Sequence, residues 1–186
     1  MMNRREALSR VAIIMGGTVL GAEAFLSGCT TKPTGLKFTK EDIAFLNEVA
    51  EIIIPTTNTP GAKEAQVGEF MSVMVTDCYD EKNQAIFMEG IKKLDAASEK
   101  MNNNNFLATS AKQRHDLLTS LDAEAKAYQA SKKSEEPKHY FTMMKELTLT
   151  GYFTSEIGAT KALRYVAVPG KFEGCVPYKK GDRAWA

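Results

Sequence analysis

Apolar residues between positions 38 and 149 return at steps of three and four, the spacing of one face of an α-helix. In "FTKEDIAFLNEVAEIIIP", residues 38–55, Ile43, Leu46, Val49, Ala50 and Ile53 share such a face. Thr39 is placed to cap that helix with Asp42 three residues on, and Pro55 stops it. A loop rich in Pro, Asn and Gly follows, "PTTNTPGAKEAQ". The pattern then predicts a second helix over about 65–79, burying Val67, Phe70, Met71, Met74, Val75 and Cys78. A third is predicted over about 81–100, with Ile86, Phe87, Ile91 and Leu94 inward, and "NNNN" at 102–105 breaks it. A Ser110 cap opens a fourth, to about residue 129, carrying Leu117, Leu118, Leu121 and Tyr128. A charged loop, "SKKSEEPK", leads to a fifth that starts near Pro137 and carries Tyr140, Phe141, Met144, Leu147 and Leu149.

The two ends read differently. From Gly151 onward glycines and prolines interrupt the pattern; Ser155 caps at most a short helix, and beyond Leu163 the chain reads as irregular. At the other end, Arg4 and Arg5 precede an apolar run that finishes "LSGC". An arginine pair before such a run reads as a twin-arginine export signal, and Leu26–Cys29 as a lipoprotein box whose Cys29 thiol accepts lipid. The competing reading of the same run is a plain N-terminal membrane helix, since Val11–Gly28 is just long enough to span. Gly16, Gly17, Gly21 and Glu23 within it favour a removable signal. The expected organisation is a signal peptide over 1–28, a lipidated tether over 29–37 and a helical domain over 38–186. The fold class is mostly α: a bundle of about five helices finished by a long irregular tail.

Composition removes several function classes. Without the signal the chain is balanced in charge, which gives no electrostatic reason to expect nucleic acid. No glycine fingerprint follows a strand, so a dinucleotide cradle is not expected, and no cofactor is assigned to this chain. There is no C-x-x-C or C-x-x-C-H run. His115 and His139 stand apart, without ligand-spaced company, and read as ordinary exposed helix residues. No metal site is expected, and the methionines, Met71, Met74, Met143 and Met144 among them, read as core. Asp77, Asp80, Glu146 and Glu156 are available acids, but nothing in the sequence marks one as catalytic. No catalytic residue is assigned.

Two stretches, "EIIIPTTNTPGAKEAQVGEFMSVMVTDCY" at 51–79 and "GYFTSEIGATKALRYVAVPGKFEGCV" at 151–176, resemble the gluconate 2-dehydrogenase subunit 3 family. The resemblance spans about residues 40–177. It implies a small, non-catalytic accessory subunit of a membrane-associated, FAD-dependent sugar or sugar-acid dehydrogenase. The large partner would be of the glucose–methanol–choline type and hold the flavin; some such complexes add a cytochrome c subunit. The export signal would then carry a folded flavoprotein as passenger, with Cys29 tethering the complex on the periplasmic side. Thr30, where an aspartate would favour inner-membrane retention, tips sorting towards the outer membrane.

Such an assembly needs a broad contact surface, and the tail offers Tyr152, Phe153, Tyr165, Phe172, Tyr178 and Trp185. About half of these are expected to fold back onto the subunit itself. Cys78 and Cys175 are candidates for a bridge pinning the tail, worth on the order of 4–5 kcal/mol in the chain-entropy model. The alternatives are a buried free Cys78 and a Cys175 paired with the large subunit. A free-standing periplasmic lipoprotein that binds a ligand or assists assembly is the second functional reading, and an enzyme using acids of the tail the third.

Overall fold

The computed structural model describes residues 35–168 and 170–186, so Arg4, Arg5 and Cys29 lie outside the described residues. Residues 37–186 form one body, and its described residues build five α-helices and no regular strand. These are α1 (Lys40–Ile53), α2 (Val67–Cys78), α3 (Glu81–Asn102), α4 (Ala111–Ser131) and α5 (Tyr140–Thr154). A 3-10 turn at Phe106–Ala108 joins α3 to α4, and a π-turn at Gly158–Ala162 follows α5. The five helices fall where the apolar period predicts them.

Local chemistry sets each start. Thr39 Oγ1 accepts from the Asp42 N–H while the Asp42 carboxylate accepts from the Thr39 N–H, a reciprocal capping box. Ser110 and Gln113 do the same for α4, and Asp80 caps α3 through the Asn83 N–H. Helix α2 is capped from its neighbour instead. Gln66 enters it in a left-handed conformation, φ 53°, and provides no side-chain cap. Asn47 on α1 accepts from the Gly68 N–H at 2.8 Å and donates to Glu69 at 3.0 Å, satisfying an end that would otherwise be orphaned. A Cβ on Gly68 would stand 2.6 Å from the Ile43 carbonyl oxygen, so glycine is what lets α1 and α2 approach.

Helix α5 is the centre of the bundle. It packs against each of the other four helices through one broad buried face, Tyr140, Phe141, Met143, Met144, Leu147, Thr148, Gly151 and Tyr152, while Glu146, Leu149, Thr150 and Phe153 on its other side stay exposed. A face that broad lets one helix meet all four neighbours. Phe45, Leu46 and Val49 of α1, Met71 and Val75 of α2, Phe87 and Leu94 of α3, and Leu117, Leu118 and Leu121 of α4 complete the core.

Three expectations need correction. Helix α5 begins at Tyr140, not near Pro137; Pro137 stays in the loop, where its carbonyl accepts from the Tyr128 hydroxyl. His139 is not an ordinary exposed helix residue. It is the N-cap of α5, its side chain only 11% exposed, with its ring between those of Tyr128 and Tyr140. Cys78 does not end the buried face of α2 but is exposed, because that face ends at Val75 and the last turn, with Asp77, stands in solvent.

Candidate partner interface

The surface of interest grows out of the end of α5. Tyr152 is buried there at 1% exposure and its hydroxyl donates to the Pro60 carbonyl. It belongs to the core and leaves the set of contact candidates. Its neighbour Phe153 points outward at 40% exposure, edge-on to the Tyr152 ring. The Ser155 hydroxyl oxygen then accepts from the Gly158 N–H and starts the π-turn. A Cβ on Gly158 would fall 1.8 Å from the Tyr152 carbonyl oxygen, so only glycine permits this tight reversal.

Beyond the turn the tail returns on itself. The Arg164 N–H donates to the Ala184 carbonyl at 2.8 Å, and the Ala186 N–H donates to the Arg164 carbonyl at 3.1 Å. These two bonds form an isolated parallel bridge between Arg164 and Trp185. The Arg164 guanidinium lies 4.4 Å from the Trp185 ring centroid, a cation–π stack, and Arg183 Nη1 donates to the Lys161 carbonyl at 2.7 Å. The indole shields Arg164 Nε, which is buried with no partner among the described residues. The described residues between 165 and 184 are all exposed. Phe172 is 95% exposed, Val168 82% and Tyr178 76%, with Tyr165 and Trp185 above half. Large apolar side chains held this far into water make this loop the candidate contact surface.

Cys175 sits in this loop, and both it and Cys78 are free and exposed in the structure, not bridged. Cys78 lies with Met74, its Sγ 3.9 Å from the thioether sulfur. The loop is fastened to the body by the Arg164–Trp185 pairing instead.

A second concavity lies between the α2–α3 corner and the α4–α5 loop. It has a volume of about 570 Å3 and is lined among others by Cys78, Tyr79, Lys132, Glu136, Lys138 and Glu146. Burial, with Glu146 and Cys78 nearby, raises the Tyr79 pKa, so the phenol is a hydrogen-bond donor there at neutral pH. Lys138 pairs with Glu146 at 2.7 Å. No nucleophile–base pair is assembled in it. Among the described residues no group of His, Cys, Asp or Glu is arranged to hold a metal ion, and no helix is long and apolar enough to cross a membrane. The described residues contain no strand leading through a glycine turn into a helix.

A family model described as gluconate 2-dehydrogenase subunit 3 matches residues 40–170. The chain belongs to that family. The match runs from the first residue of α1 through α5 and the π-turn into the first part of the loop. The gluconate 2-dehydrogenase subunit 3 family takes its name from a subunit of an oxidoreductase complex, so this chain is of the accessory-subunit kind. No curated protein and no solved structure matches it significantly.

The sequence missed the fastening residues. Arg164 and Arg183 were hidden by the neutral balance of the whole chain, and a charge count taken segment by segment reveals them.

Proposed function

We propose that this chain is the non-catalytic small subunit of a periplasmic, membrane-tethered, FAD-dependent dehydrogenase acting on sugars or sugar acids. Its large partner, of the glucose–methanol–choline type, would hold the flavin and the catalytic base. The small subunit would escort that folded flavoprotein through the twin-arginine pathway, stabilise it and anchor it through lipid on Cys29. The observation that carries this reading is a family-matched helical body bearing a fastened loop whose aromatics stand in solvent. An obligate partner explains why such side chains are tolerated, because burial on assembly removes them from water. The arginine pair supplies the route and the lipoprotein box the tether.

Replacing Arg4 and Arg5 together by Lys tests the escort role. The account expects both this subunit and the flavoprotein to remain in the cytoplasm. Normal export of the flavoprotein in that variant contradicts the escort role.

A further inference from the structure

Charge is segregated along the body of this protein. Between residues 157 and 186 stand six basic residues (Lys161, Arg164, Lys171, Lys179, Lys180 and Arg183) and two acidic ones (Glu173 and Asp182). Residues 40–156 hold 13 basic and 19 acidic residues. A C-terminal segment of net charge +4, of which residues 164–186 carry +3, therefore follows a helical part of net charge −6. Lys171 pairs with Glu173, but Lys161, Lys179, Lys180 and Arg183 have no carboxylate within ion-pair distance among the described residues. The loop does not lie down on its own acidic helices.

We propose that the segment 164–186 is a preorganised docking loop whose basic and aromatic surface seats on an acidic, apolar-centred face of the large flavin subunit. The proposal rests on the functional reading above and names the chemistry of the contact. Three observations carry it. Fixing the base through Arg164, Ala184 and Trp185 lowers the ordering cost a free tail would incur on binding. The exposed residues between 165 and 186 number about as many as one side of a standard interface, roughly 20–30 residues. The cations at 171, 179, 180 and 183 stand on either side of the stretch from Phe172 to Tyr178, the composition of a charged rim about an apolar centre. Residues 171–186 also lie beyond the family match, so this part of the loop is where a subunit would suit its own partner and not another's.

The test uses the purified complex and its separated subunits. Binding of the small to the large subunit is measured between low and high salt for the natural chain, for Lys179→Glu with Lys180→Glu, and for Trp185→Ala. The double charge reversal should weaken binding by about tenfold or more, mainly through the association rate, and flatten the salt dependence. Trp185→Ala should weaken binding with the salt dependence retained, since it loosens the loop and keeps its charge. Circular dichroism melts of the variants should match the natural chain because these side chains are exposed. A natural chain that binds no flavoprotein overturns the functional reading and this proposal with it. Unchanged affinity and salt dependence in the charge reversal overturn the docking loop alone. Loss of binding to anionic phospholipid vesicles, or of self-association, with subunit affinity intact would assign the loop to a membrane or to a second copy and equally overturn it.

Discussion

The Tyr152 hydroxyl donates a hydrogen bond to the Pro60 carbonyl oxygen, across 92 positions of sequence. It joins the end of α5 to the loop between α1 and α2, and so joins the two stretches whose residues resemble the family. The same loop is held from below by Glu51, whose carboxylate accepts from the Thr56 N–H, the Thr56 hydroxyl and the Lys63 N–H. Gly151, one residue before the tyrosine, packs on Phe70 of α2, with 2.6 Å between its would-be Cβ and the ring. The two stretches are one structural unit, and the π-turn and docking loop start from it.

Tyr152→Phe removes the hydroxyl, keeps the ring and leaves the Pro60 carbonyl without that donor. Denaturant unfolding of the 37–186 body should show a loss of about 1 kcal/mol. No change in the unfolding midpoint would mean that the loop is held by Glu51 alone.

Gly90→Ala separates packing from propensity. Alanine in a helix interior normally gains about 1 kcal/mol over glycine. Here the new Cβ would lie 2.6 Å from Tyr140 Cβ and 2.7 Å from Tyr140 Cδ2, atoms fixed at the first turn of α5. The variant should therefore lose about 1–3 kcal/mol, with the opposite sign from the propensity expectation. A stabilised Gly90→Ala protein would show that α3 and α5 do not meet at this spacing.

His139 makes the start of α5 sensitive to acid. Its Nδ1 accepts from the Phe141 N–H at 3.3 Å, which only the neutral imidazole can do. Burial lowers its pKa below the usual 6.5; Glu124 on α4 opposes the shift and Lys93 on α3 adds to it. Tyr128 and Tyr140 flank the ring, and burial first, with Glu124 nearby, raises the Tyr140 phenol to about 12, so that phenol supplies no charge near neutrality. A depressed folded pKa means that the unfolded chain takes up the proton first. Stability from this site is therefore full above the unfolded value, near 6.5, and falls as pH drops from there towards the folded value. Side-chain NMR titration should give His139 a pKa below the ordinary 6.5, and His139→Asn, which keeps a cap, should flatten that limb of the stability profile. A His139 pKa at or above 6.5 would contradict the buried cap.

Asp122 acts in the same direction at lower pH. Hydrogen bonds from Lys126 first, and then from Lys145, lower its pKa. Its contribution is present above the ordinary carboxylate range and lost as pH falls through the lowered value. Asp122→Asn should cost up to about 1 kcal/mol at neutral pH, with the difference disappearing in acid. A cost that persists unchanged in acid would point to a role for Asp122 other than these ion pairs.

The helices were legible in the sequence because each has a strong apolar period and a recognisable cap, as at Thr39 and Ser110. What escaped was non-local. The α2 cap comes from Asn47 on another helix, and Tyr152 is buried because a loop 92 residues earlier offers it a carbonyl. The aromatic character of the tail could be read directly, but not the reversal that pairs Arg164 with Trp185, since two short hydrogen-bonded partners leave no period. The expected Cys78–Cys175 bridge followed from compartment and count, whereas fastening in the structure runs through backbone bonds and a cation–π stack.

Native purification of this chain from its own host, followed by absorbance spectroscopy and mass measurement of whatever elutes with it, tests the accessory-subunit assignment most directly. The account predicts co-elution with a larger polypeptide carrying flavin absorbance, and separation of the two when the loop cations are reversed. A chain that elutes alone, stable and without any flavin-bearing companion, would contradict it.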